Sequence, residues 1–224
     1  MMTKKIFVAC DTTSISKVKE IINKTKNSKL RIGYKFGLEF LNSKNGRKFV
    51  NNLKNQITFG DYKFSDIPNT CVSAIKSIKD LKFNYITIHL NSGLEALKAA
   101  KKVSGKTKLV GVSILTSLNN NSLKEIGYDK DVKKLVLYQA KLAQKVKLDA
   151  IVCSAQEVKI VKKVFKKEII TPGIRFNSKV GDQKRVMTPK QAFENGSDWL
   201  VIGRPITKGN IKKNIDYLIN HLEK

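Results

Sequence analysis

The segment GDYKFSDIPNT, residues 60–70, sets two carboxylates about one ammonium: Asp61, Lys63 and Asp66. It extends a strand-like run, NQITF, in a chain with 44 Lys and Arg against 18 Asp and Glu, so acids are scarce and their clustering stands out. Side chains alternate faces along a strand, which turns Asp61 and Lys63 the same way. Asp66 follows in the loop, and Pro68 stands where the first turn of a helix accepts it. Two more charges belong to neighbouring strand-like runs, Asp11 at the end of KIFVACD and Lys35 within RIGYKFG. Any one of these residues alone reads as a structural ion pair. Together they read as an assembled array, because an isolated buried charge is costly and alternating Asp and Lys satisfy one another. Such a row of fixed charges can stabilise charge that develops in a bound substrate.

A second group of residues suits an anion. TPGIR (171–175) ends one strand-like run, GDQKR (181–185) lies in the segment after it, and VIGRPIT (201–207) ends another run just before a helix. Gly203 lets backbone approach a ligand closely, and Arg204 can hold phosphate oxygens bidentately. Backbone N–H groups at a helix start favour the same guest.

These residues need a scaffold that brings strand ends together. Short apolar runs alternate with segments of helical period about eight times; the strands are expected at 5–11, 31–37, 56–63, 85–90, 108–115, 150–154, 168–173 and 199–204. Eight strand-helix units in 224 residues predict an α/β fold, a single-domain (β/α)8 TIM barrel spanning 1–224, with the functional face built by the loops after the strands. An open doubly wound sheet is the structural rival, but the first turn, CDTTSIS, lacks the Gly-rich dinucleotide fingerprint. The long irregular segments 116–131 and 175–185 are candidate substrate loops. SGKT at 104–107 resembles the end of a phosphate-binding loop, but Ala100 stands where that motif needs glycine, so a helix-to-strand turn is expected.

Composition narrows the function. The apolar stretch in MMTKKIFVAC is too short for a signal peptide core or a membrane span, which points to a cytoplasmic protein with no membrane partner. Cys10, Cys71 and Cys153 are far apart, so neither a disulfide framework nor a zinc knuckle is indicated, and two histidines leave little for a His-based metal site or a Ser-His-Asp triad. The net charge of +26 raises the question of nucleic acid. Yet 39 of the basic residues are Lys, scattered over nearly every expected helix, with no aromatic-interleaved basic motif; no specific nucleic-acid partner is expected. The basic surface still attracts anionic substrates.

The DYKFSDIPNT motif resembles the D-x-K-x-x-D-I-P-N-T signature of the orotidine 5′-phosphate decarboxylase family. Further similarities run along nearly the whole chain: ACD (9–11), YKFGLEF (34–40), ILTSL (114–118), IVCSAQE (151–157), TPGIR, GDQKRVMTP (181–189) and VIGRPIT. ILTSL alone carries little; the acidic signature followed in order by GDQKR and GRPIT is specific.

The resemblance implies cofactor-free decarboxylation of orotidine 5′-monophosphate to UMP and CO2, with no metal. It implies that Asp61 lies against the substrate carboxylate and that Lys63 protonates C6. Asp66 and Thr70 are implied to reach the partner's site in a homodimer. Asp11 and Lys35 correspond to ribose contacts, with Lys35 completing the charged array. Thr116 corresponds to the pyrimidine contact, and Arg175, Gln183, Gly203 and Arg204 to the phosphate grip. One departure is Ser65, where many bacterial relatives have His; its side chain is expected to face away from the reacting side. Two rivals stand beside this reading. One is a Mg2+-dependent sugar-phosphate decarboxylase or hexulose-phosphate synthase on the same barrel, whose acidic ligand at the second strand is replaced here by Lys35. The other is a non-enzymatic basic nucleic-acid binder.

Overall fold

In the computed structural model, which describes residues 3–176 and 186–223, eight parallel strands close into one barrel in sequence order. They are β1 (Lys4–Ala9), β2 (Leu30–Phe36), β3 (Ile57–Phe64), β4 (Tyr85–His89), β5 (Lys108–Val112), β6 (Ala150–Val152), β7 (Glu168–Thr171) and β8 (Trp199–Ile202). β8 pairs back onto β1, with Lys5 opposite Trp199 and Val8 opposite Ile202. Helices lie between the strands, as the eightfold alternation predicts.

The longer helices bury apolar residues that recur at three and four, and several have satisfied ends. The helix Ile15–Lys24 buries Val18, Ile21 and Ile22, and the Ser14 side chain accepts from the Lys17 N–H at its start. The helix Pro68–Ser77 begins with proline, whose missing N–H has no partner to lose there. Thr188 and Gln191 form a reciprocal capping box at the start of Pro189–Glu194.

Alternation along the strands sorts side chains into two layers. In β1, Ile6 and Val8 pack outward into the helix layer, whereas Phe7 points into the barrel. There it joins Phe59, Tyr85, Val110, Ala150, Ile170 and Trp199. Phe7 stacks on Trp199 at 4.0 Å and meets Tyr85 edge-on at 5.2 Å, so the lower half of the barrel is a solid aromatic plug. Gly33 makes room for it: a Cβ there would come within 2.7 Å of the Phe7 ring. Below the plug Glu168 accepts from Tyr85 and Lys108, which closes the floor with paired charge.

Strand ends differ from the sequence expectation in one consistent way. β1, β5, β6, β7 and β8 stop two or three residues early, so Asp11, Thr116 and Gly203 sit on loops above the sheet and Arg204 opens the helix Arg204–Thr207. The apolar runs continue past the paired backbone because Cys10, Ile114 and Cys153 remain buried beneath those loops. The segment 116–131 is also less irregular than expected, since it contains a helix, Asn120–Glu125, capped by the Asn119 side chain. The 104–107 segment is the expected turn, with Gly105 at φ +60° between the helix Gly93–Val103 and β5. Among the described residues, no helix is long and apolar enough to cross a membrane.

Candidate active site

One layer above the plug, the same inward positions become polar. β2 contributes Lys35 two residues after Gly33, β3 contributes Asp61 two residues after Phe59, and β4 contributes Thr87 two residues after Tyr85. Opposite them Val112, Val152 and Val201 form an apolar wall, and with Lys35 and Asp61, but not the buried Thr87, they line a cavity of about 460 Å3 at the carboxyl ends of the strands. This is the face on which barrels of this kind carry their chemistry.

Four charges alternate across the cavity. The Asp11 carboxylate accepts from Lys35 Nζ at 3.0 Å, Lys35 lies 3.5 Å from Asp61, and Lys63 donates to Asp61 at 2.8 Å. The two inner members are nearly enclosed, with side-chain exposures of 12% for Lys35 and 13% for Asp61. Burial would drive the Asp61 carboxyl up, but Lys35, Lys63 and the hydrogen bonds of Lys63 and Thr87 outweigh it and hold it below the ordinary 3.8. Burial works equally against the Lys35 ammonium, and Asp61 and Asp11 outweigh it, raising that group above its ordinary 10.5. The signs are complementary. Stability tied to ionised Asp61 is complete above pH 3.8 and is lost as pH falls through the lower folded value. Stability tied to charged Lys35 is complete below pH 10.5 and is lost as pH rises through the higher one. Near neutrality both are charged.

Simple alternation does not account for the Asp61–Lys63 pair. The register between β3 and β4 jumps from Gly60 opposite Ile86 to Phe64 opposite Ile88, which leaves residues 61–63 facing Thr87 alone. Lys63 sits in this bulge at φ +52°, a left-handed conformation that a lysine adopts only under constraint. The bulge curls the Lys63 ammonium back over Asp61.

The cavity also gathers Thr116, Arg175, Gly203 and Arg204 at its upper rim. Arg175 begins the segment that leads to 181–185. Its N–H donates to the Met187 carbonyl at 3.1 Å, and the Met187 N–H donates to the Gly173 carbonyl, so the two ends of that segment are pinned together. Gln183, with the rest of GDQKR, lies outside the described residues. Asp66 and Thr70 do not line the cavity of their own chain. Both are exposed, and Asp66 Oδ1 accepts the neighbouring Ile67 N–H at 2.7 Å. Ser65 is exposed too. Among the described residues, no three Asp, Glu, Cys or His side chains converge as a cation site requires.

Sequence reasoning singled out neither Thr87 nor Pro172, and it considered Cys153 for disulfide or zinc pairing, not for the cavity that the residue lines. The signal for Thr87 was available: period two along YITIH places it on the same face as Tyr85.

Comparison with known proteins decides the family. Residues 4–214 match the family described as Orotidine 5'-phosphate decarboxylase / HUMPS. The chain belongs to that family. It is 41% identical over 221 residues to the orotidine 5′-phosphate decarboxylase of Wolbachia sp. subsp. Brugia malayi, covering 96% of each chain. It is 39% identical over 218 residues to that of Carboxydothermus hydrogenoformans, covering 92% of this chain and 90% of the relative. The crystal structure of orotidine 5′-phosphate decarboxylase from Lactobacillus acidophilus superposes with a TM-score of 0.82 at 28% identity, over 99% of this chain and all of that one. Identity of this degree over nine-tenths of the chain sets it among the bacterial decarboxylases of the family.

Proposed function

We propose that this chain decarboxylates orotidine 5′-monophosphate to UMP and CO2 in pyrimidine nucleotide synthesis, in the cytoplasm, using its own fixed charges and no cofactor. The observation that carries the reading is the Asp11–Lys35–Asp61–Lys63 row, placed opposite an apolar wall and below two arginines.

The geometry supports the following chemistry. As the bond from C6 to the carboxylate breaks, the electron pair stays on C6 and CO2 departs. Lys63 as an ammonium faces that density and then gives its proton to C6, forming UMP; solvent reprotonates the amine. Asp61 aims Lys63 and, set against the substrate carboxylate, adds repulsion that CO2 release relieves. The charges are paired to one another before substrate arrives, so little reorganisation is needed at the moment of reaction. Arg175 and Arg204 at the rim suit the phosphate, with Gly203 beside them and Gln183 in the segment between. Binding energy from that remote group is available to orient the ring below. Asp11 and Lys35 suit ribose hydroxyls, and Thr116 suits the pyrimidine edge.

Lys35 also weighs against the magnesium-dependent rival. Its ammonium stands between the carboxylates of Asp11 and Asp61, where a shared cation would have to sit. The test is product analysis with purified protein. One UMP formed per orotidine 5′-monophosphate consumed supports the reading, and Mg2+-dependent turnover of a ketose phosphate instead would displace it.

The functional unit is a homodimer in this reading, with Asp66 and Thr70 entering the partner's cavity. Both lie exposed outside their own cavity, in the same segment as Ile67, which is 66% exposed. Mixing inactive Lys63→Ala with inactive Asp66→Ala should then restore roughly a quarter of parental activity, the share of intact sites that random pairing across a two-fold axis leaves. Mixtures that stay inactive after verified subunit exchange contradict the shared site.

A further inference from the structure

We propose that Thr87 is a positioning residue for the reaction, which locks the Lys63–Asp61 pair into its working geometry through one buried hydroxyl. The proposal rests on the decarboxylase reading for its kinetic consequences and on geometry alone for its structural ones.

Thr87 is fully buried in the middle of β4, with 0% exposure. Its hydroxyl accepts the Lys63 backbone N–H at 2.7 Å and lies 3.1 Å from Asp61 Oδ1. A backbone N–H can only donate, so the hydroxyl must accept there. Its single proton is therefore directed at the carboxylate. One side chain thus ties the backbone of the proposed proton donor to the side chain of its counter-charge.

The bulge explains why such a tie is needed. Residues 61–63 loop out from the ladder and face Thr87 alone, so the Lys63 N–H finds no carbonyl across the strand pair. Lys63 is held at φ +52°, and conformations of that kind persist only where surroundings over-determine them. Asp61 is fixed from both sides, by Lys63 on Oδ2 and Thr87 on Oδ1. Without the hydroxyl the N–H would be buried and unpaired, and the bulge would relax toward regular pairing and swing the ammonium away. Thr87 does not line the cavity, so it acts through its neighbours and not on a ligand.

Thr87→Val keeps the shape and removes both hydrogen bonds, and Thr87→Ser keeps both. With orotidine 5′-monophosphate as substrate, Val should lower kcat by about 10- to 100-fold, as misplacement of a reacting group does, with UMP affinity unchanged and Ser restoring most of the rate. A merely structural role would lower UMP affinity and melting temperature in step with kcat. Parental kcat in Thr87→Val, or equal impairment of Ser and Val, overturns the proposal. If Val does not fold, Thr87→Ser against Thr87→Cys, a far weaker donor, takes its place, and equal rates overturn it. A crystal structure of the Val or Cys variant gives a reading independent of activity. Lys63 Nζ should have left hydrogen-bond distance of Asp61, and an unmoved pair overturns the proposal even if the parent shows no turnover, an outcome that would separately sink the decarboxylase reading.

Discussion

Lys63→Ala is expected to abolish turnover of orotidine 5′-monophosphate to within the detection limit, a fall in kcat of about ten-thousandfold or more, while UMP still binds. Two contributions disappear at once. Proton donation by a positioned acid typically supplies about a hundredfold to ten-thousandfold, and a preorganised charge beside developing carbanion density supplies a comparable factor. Lys35 is a poor substitute, because it is committed to Asp11 at 3.0 Å and nearly enclosed. The measurement is single-turnover decay of substrate absorbance together with UMP binding on the same preparation. Retention of more than about a hundredth of parental kcat would mean that the proton reaches C6 from elsewhere.

Asp61→Asn is expected to lower kcat by about a thousandfold without raising KM. The substitution preserves shape and one acceptor but removes the negative charge that two ammonium groups share. Lys63 loses the partner that aims it, and Lys35, nearly enclosed, keeps only Asp11. Loss of the carboxylate also relieves its repulsion with the substrate carboxylate, so substrate binding should tighten or stay level as catalysis falls. That divergence separates this role from ordinary ligand binding. Parallel losses in kcat and substrate affinity would show that Asp61 holds the ground state, contrary to the proposed repulsion.

The outcome for the sequence reading divides along a physical line. Strand number and order were legible because β-branched and aromatic runs separated by helical periodicity leave few other ways to bury both layers, and Asp61 and Lys63 were found by their charge in an acid-poor chain. Strand ends were not. In KLVGVSIL the apolar pattern runs on through Ser113 and Ile114, which are buried, although the strand ends at Val112. Burial and backbone pairing part company at the barrel mouth, and a sequence records mainly burial. The bulge was hidden for a related reason. Period two gave the right side for Lys63, but the observed geometry comes from a left-handed lysine tied to a threonine twenty-four residues away, a tertiary constraint that no local pattern carries. Asp66 shows the opposite case. Its type and spacing drew attention, yet it lies exposed outside the cavity of its own chain, and the role proposed for it requires a second copy.

The central claim, that a preassembled row of opposite charges and no bound ion drives carbon–carbon cleavage, is tested most directly by following orotidine 5′-monophosphate consumption by ultraviolet absorbance after exhaustive dialysis against EDTA. The charge-array account predicts undiminished turnover by the parent enzyme. Turnover that vanishes with EDTA and returns with Mg2+ would contradict it.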